Sequence, residues 1–271
     1  MNYDEAMNAN EEQRRPVECV VFGAGEYYNE QPQVPTHALI IAADGGVDHA
    51  LRFGLSPDVV IGDFDSASAD AQRCDGHDGI IRLPSEKDDT DMLAALKVGW
   101  LHDARIFHIY GGLGGRVDHT IANLQLLARL SLHGGIGYLH GGGNVVTCVT
   151  DGTLSFPAWR CDADGIEATG RMLSVFSHVD CSRHVTIDGL KYQLKDGMLR
   201  NTRPVGISNE FAPGREAVIS VGDGTLQITF PEQAPAPQWW TSLESDGSSA
   251  LGELDLHVSK LLAPKPSVNR Q

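Results

Sequence analysis

The chain is 271 residues long, 41% hydrophobic and 21% charged, and its 36 acidic against 21 basic side chains give a formal net charge of −15. That length suffices for two domains with buried cores, while the acid surplus argues against nucleic acid as a partner and no apolar run reaches the roughly 18 residues of a membrane span. Five cysteines without a C-x-x-C pair fit reduced thiols in a cytoplasmic protein and match no common zinc-site spacing.

Residues 1–15 read as a polar N-terminal extension with the features of neither a signal nor a transit peptide. From 16 to 145 the pattern predicts an α/β domain. Short apolar runs at 17–22, 38–42, 59–61, 80–83 and 105–110 read as strands, and 91–100 and 119–130 as helices, with Leu93, Leu96 and Trp100 at helical spacing. Strands alternating with helices imply a largely parallel sheet covered on both faces. From 146 to 231 the rhythm changes to short β segments at 145–149, 172–177, 184–187, 190–194, 217–221 and 226–230. Asp188-Gly189, Asp196-Gly197 and Asp223-Gly224 stand between several of them as hairpin-type turns. This predicts an all-β, sandwich- or barrel-like C-terminal domain. Residues 232–271, rich in Pro, Ser, Asp and Gly, read as a mostly loose tail in which Trp239-Trp240 and 254–262 offer a docking element.

Chemistry-bearing residues collect where the first-half strands end. Gly23-Ala24-Gly25-Glu26 follows the first strand and Asp44-Gly45-Gly46 the second. Gly62-Asp63-Phe64-Asp65-Ser66 follows the third, Glu86-Lys87-Asp88-Asp89-Thr90-Asp91 the fourth, and Gly111-Gly112-Leu113-Gly114-Gly115-Arg116-Val117-Asp118-His119 the fifth. In an open parallel sheet, ligands bind beyond the carboxyl ends of the strands, so these segments should line one crevice. Glycines ahead of a helix let backbone N–H groups approach a phosphate, and Arg116 adds a guanidinium fork suited to its oxygens. Asp63 and Asp65 offer hard oxygen donors to Mg²⁺. Asp88 and Asp91 would share a helix-start face, with Asp88 available as the cap.

Each piece also has a plainer reading: Asp44 in a tight turn, Asp88 as a cap, the acidic run as macrodipole chemistry, the glycines as a turn. Gly23 and Gly25 fail as a dinucleotide fingerprint because Tyr28 occupies the third glycine position, although Asp44 falls near the place of a ribose-binding acid. Together the motifs point to metal-assisted phosphoryl chemistry.

In this order, the Asp44, Asp63, Lys87 and Gly111 motifs resemble those of the thiamine pyrophosphokinase family. Gly189-Leu190-Lys191-Tyr192 and Ile207-Ser208-Asn209-Glu210-Phe211 resemble its later segments, so the resemblance spans about 17–231. It implies a homodimer with sites between subunits, which transfers pyrophosphate from ATP to thiamine with Mg²⁺. On this resemblance Asp63, Asp65 and Asp91 hold the metal. Gly23, Gly25, Asp44, Gly45, Lys87, Asp88, Gly114, Gly115 and Arg116 meet the nucleotide. Asp63, Asp91 and Arg116 serve catalysis, with Asp118, or alternatively His119, orienting or deprotonating the thiamine hydroxyl. Asp118, Tyr192, Ser208 and Asn209 hold thiamine, Tyr192 by its face and the Ser208-Asn209 pair at the aminopyrimidine. Without the resemblance, Tyr192 reads equally as strand packing and Ser208-Asn209 as a turn. Two rivals stay open: a haloacid-dehalogenase-like phosphatase with Asp63 as nucleophile, and a non-catalytic nucleotide- or thiamine-binding module.

Overall fold

Residues 17–64, 79–160, 171–245, 247 and 249–258 are described by the computed structural model. The polar extension 1–15, Asp65 and the tail from 259 onward lie outside the described residues. Strands β1 (Val17–Phe22), β2 (Leu39–Ala43), β3 (Val59–Gly62), β4 (Ile80–Arg82), β5 (Ala104–Tyr110) and β6 (Ile136–Gly141) pair in parallel in the order β6-β5-β1-β2-β3-β4. The order reverses between β1 and β5, which opens a crevice at the carboxyl ends of these two strands. Helix α1 (Gly46–Arg52) packs on one face, where Ala50 meets Val20, Phe22 and Tyr110. Helices α2 (Asp91–Leu101) and α3 (Val117–Leu132) cover the other, burying Leu96, Trp100, Leu127 and Leu130 against Cys19, Ile41, Ile61 and Phe107.

The sheet continues past the expected change of rhythm. Strand β7 (Asn144–Thr150) pairs antiparallel with β6. The Gly142-Gly143 turn between them has φ of 59° and 74°, values that suit the two-residue primed turns of hairpins. Strands β14 (Thr225–Pro231), β9 (Met172–Ser177) and β12 (Asn209–Glu210) then extend it to ten strands. A second sheet, in the order β11 (Leu194–Arg200), β10 (Cys181–Asp188), β13 (Ala217–Ser220), β8 (Gly152–Phe156) and β15 (Gln238–Thr241), packs over the antiparallel part. Between them lies a second core in which Phe211 and Phe230 meet Phe156 edge-on and Trp159 meets Phe211. The fold is thus two sheets and few helices, with one wall of the β sandwich shared with the parallel sheet.

Several expectations are corrected. The segment 190–194 is not a strand: Leu190 makes only an isolated bridge to Phe211, and β11 begins at Leu194. Asp196-Gly197 is not a turn but lies inside β11, where the β10–β11 register shifts and Asp196 takes a φ of 48°. The residues after Pro231 are not loose as far as they are described. β15 closes the second sheet against β8, and Leu251 is buried in the first core. Among the described residues no helix is long and apolar enough to cross a membrane.

Candidate active site

The loops after β1 and β5 are joined through their backbones: the Gly23 N–H donates to the Tyr110 carbonyl at 2.8 Å and the Gly25 N–H to the Gly111 carbonyl at 3.0 Å. A side chain on Gly25 would collide with that Gly111 oxygen, so this glycine is required by the approach of two loops. The Gly114 N–H donates to Thr120 Oγ1 at 3.2 Å. The sequence pattern suggested that these N–H groups wait for a phosphate. Those of Gly23, Gly25 and Gly114 are instead engaged within the protein. Asn123, which the sequence reading missed, donates from Nδ2 to the Gly112 carbonyl at 2.8 Å and pins the loop to α3. A buried polar residue on the sheet-facing side of an amphipathic helix is the one signal that could have found it.

The crevice beyond these loops is a cavity of about 470 Å³, lined by Gly23, Gly25, Asp44, Asp91, Gly114, Gly115, Arg116, His119 and Asn123, among others. Asp44 adopts a φ of 50°, and its N–H donates to the Ile61 carbonyl at 2.8 Å, which ties the end of β2 to β3. Gly62 packs directly under Asp44. Gly45 is the N-cap of α1. Thr90, not Asp88, caps α2, with Oγ1 accepting the Leu93 N–H at 3.1 Å; Asp88 lies before the helix, so it does not share a helix-start face with Asp91. Gly45, Asp63, Lys87, Asp88 and Asp118 are not among the lining residues.

Lys87 reaches the site indirectly: its ammonium lies 3.0 Å from Asp91 Oδ1 and donates to the Pro84 carbonyl at 3.1 Å. That buried Asp91 oxygen makes no hydrogen bond, so its charge is balanced by an ion pair alone. A carboxylate oxygen of this kind is the donor type that Mg²⁺ prefers. Among the described residues no three His, Cys, Asp or Glu side chains form a metal-holding group, and Asp65 of the expected set lies outside them.

Arg116 and Asp118 form a two-pronged pair on the rim, Nη2 to Oδ2 at 2.7 Å and Nε to Oδ1 at 3.2 Å. Both are well exposed. Hydrogen bonding from Arg116 holds the Asp118 carboxyl below the usual range, and Asp118 also accepts the His119 N–H at 3.0 Å. A carboxylate so engaged is a poor proton acceptor. The expectation puts Asp118 first with His119 as the alternative; of the two, His119 lines the cavity and Asp118 does not.

The later segments converge elsewhere. Asn209 is buried, and both polar atoms of its amide are hydrogen-bonded: Oδ1 accepts the N–H of Tyr192 and of Glu210, each at 2.9 Å, and Nδ2 donates to the Tyr192 carbonyl at 2.7 Å. Tyr192 itself is 61% exposed, with the Lys191 ammonium 5.5 Å from its ring centre and paired to Glu210 at 2.7 Å. Ser208 has a φ of 56°, and its N–H donates to Ser174 Oγ at 3.0 Å. Asn209 therefore braces the backbone that presents Tyr192.

Comparison with known proteins gives this arrangement a context. The model of the thiamin pyrophosphokinase catalytic domain matches residues 32–136, and that of the thiamin pyrophosphokinase vitamin B1 binding domain matches 162–226. Thiamine pyrophosphokinase of Bacillus subtilis is 28% identical over 184 residues, covering 66% of this chain and 81% of the relative. Thiamin pyrophosphokinase 1 of Caenorhabditis elegans is 26% identical over 181 residues, covering 63% and 70%. In fold, the crystal structure of the Bacillus subtilis enzyme superposes with a TM-score of 0.66 at 22% identity, over 79% of this chain and 98% of that one. Thiamin pyrophosphokinase from Candida albicans superposes at 0.65 and 14% identity, over 80% and 90%. With both domain models matched in order over more than half its length, the chain belongs to the thiamin pyrophosphokinase family.

Proposed function

We propose that the cavity between the Gly23 and Gly111 loops receives the triphosphate of ATP and that thiamine is held there by the Tyr192 segment of a second copy of the chain. The reaction is that of the family, transfer of pyrophosphate from ATP to thiamine with release of AMP. The thiamine hydroxyl oxygen forms the new bond to the β-phosphorus as the bond to the AMP oxygen breaks. With the Gly23, Gly25 and Gly114 N–H groups engaged, Arg116 is the fork that meets the phosphates, exchanging its Asp118 partner for phosphate oxygens. His119, on the cavity wall one residue further along α3, takes the hydroxyl proton. Asp63, Asp65 and Asp91, the set that the family resemblance implies, would hold Mg²⁺, which would neutralise charge on the phosphate oxygens.

One observation carries the two-chain reading. Asn209 sits on β12 at one edge of the ten-stranded sheet, and β5, which leads into the cavity, is five strands away. At about 4.8 Å per strand the separation is roughly 24 Å, more than one thiamine molecule bridges. An isologous dimer brings the Tyr192 segment of one chain to the cavity of the other twice over. Incubation with ATP, Mg²⁺ and thiamine tests the reading: AMP and thiamine diphosphate in equal amounts support it. Inorganic phosphate as the only product would favour the phosphatase.

A further inference from the structure

The loop that carries Lys87 and Asp91 is held from behind by the end of the chain. Asp89, between the two, is nearly buried and pairs with the equally buried Lys97 at 2.5 Å. The same Asp89 oxygen accepts the backbone N–H of Asp255 at 3.0 Å, and the Lys97 ammonium donates to the Glu253 carbonyl at 2.7 Å. Further anchors run back along the same segment. Arg129 donates to the Leu251 carbonyl at 2.7 Å, Trp100 Nε1 to the Gly247 carbonyl at 3.1 Å, and Arg105 Nε to Ser245 Oγ at 2.5 Å. Leu251 is 2% exposed, inserted in the core shared by α2 and α3.

We propose that residues 249–257 form a strap whose grip on Asp89 sets the position of Lys87 and Asp91 at the cavity, making Asp89 and the strap positioning elements for the nucleotide side of the reaction. The proposal rests on the function inferred above. A buried carboxylate shared between an ammonium and a backbone N–H has one satisfied geometry, because leaving either donor unmet in the interior is costly. Asp89 is followed directly by the Thr90 cap and by Asp91 on the cavity wall, so a shift of Asp89 displaces both. The strap grips through backbone carbonyls and one backbone N–H, which is why its polar composition conceals the role.

Asp255→Pro removes the N–H that meets Asp89 while leaving the Lys97–Asp89 pair, Asp255→Ala keeps that N–H, and Leu251→Asp expels the anchor. The measurements are KM for ATP, KM for thiamine and the melting temperature. Asp255→Pro and Leu251→Asp should raise KM for ATP about fivefold or more, a modest coupling between linked sites, with KM for thiamine unchanged. Asp255→Ala should match the parent chain. A lowered melting temperature with KM for ATP unchanged in both variants would overturn the proposal and leave the strap a purely structural element. Should the parent chain fail to form AMP and thiamine diphosphate, the functional reading falls by itself. The strap is then judged by equilibrium titration with ATP, where the same two variants must bind more weakly than the parent and Asp255→Ala must not.

Discussion

At the carboxyl ends of β1, β2 and β5 the chain gathers Asp44, Asp91, Arg116 and His119 around an open cavity, whereas at the β12 edge it holds Tyr192 out to solvent on a braced backbone. The first region is rich in charge, and one of its buried carboxylate oxygens is balanced by an ion pair alone. In the second, the Asn209 amide is hydrogen-bonded at both its oxygen and its nitrogen, and an aromatic face is left exposed. On the proposed function, the difference separates two tasks. Phosphate chemistry needs charges that can change partners, and a positively charged heteroaromatic ring needs a rigid aromatic surface. Neither region can do the other's work, and the sheet keeps them apart within one chain.

The comparison is sharpened most strongly at Asp91. Asp91→Asn should lower turnover at least about a hundredfold through loss of a cation-holding oxygen, with little change in KM for thiamine and a folded protein by circular dichroism. Steady-state rates across a Mg²⁺ series check it, and near-normal turnover would remove Asp91 from the site. At the other region, Asn209→Ala leaves part-buried backbone groups of Tyr192 and Glu210 without their side-chain partner. It should raise KM for thiamine about tenfold with KM for ATP nearly unchanged, in keeping with roughly 1–3 kcal/mol for such groups. An equal rise in both constants would break the division of labour.

Smaller effects are expected on the rim. Arg116→Lys replaces a two-pronged fork by a point charge and should cost about tenfold in kcat/KM for ATP. Asp118→Asn should cost less than that, and a larger loss would restore Asp118 as the proton acceptor. His108 lies between the two regions, and its effect should fall on stability alone. Burial, with His140 alongside, pushes its pKa down from an ordinary 6.5 to about 4, although the Glu18 carboxylate is 3.4 Å away. Below pH 6.5 the unfolded chain therefore takes up a proton that the folded one refuses. Stability should fall by up to about 3 kcal/mol between pH 6.5 and 4, and no further from this group below it. His108→Gln should flatten that limb in urea unfolding at stepped pH.

The parallel half was legible because alternating apolar runs and glycine- or aspartate-marked strand ends carry both fold and chemistry in local sequence. Strand β6 escaped notice because Ile136–Gly141 begins and ends among glycines, and α1 because it opens on Gly45-Gly46, a poor helix start on propensity. The engagement of the loop N–H groups was invisible for another reason. Their partners, Tyr110, Gly111 and Thr120, are fixed by the meeting of two loops and the start of α3, and no spacing encodes that. Asp89 was one of a run of acids in sequence, and only the fold shows that Lys97 and the strap claim it.

The central claim is that a working site takes its charged region from one chain and its Tyr192 region from another. Asp91→Asn and Asn209→Ala chains, each assayed alone with thiamine held well below the variant's raised KM, should both show little activity. Mixed in equal amounts under conditions shown to exchange subunits, they should recover about a quarter of parental turnover, because half of the dimers are hybrids with one intact site of two. Activity no higher than the average of the separate chains, despite proven exchange, would contradict the account and place each site within a single chain.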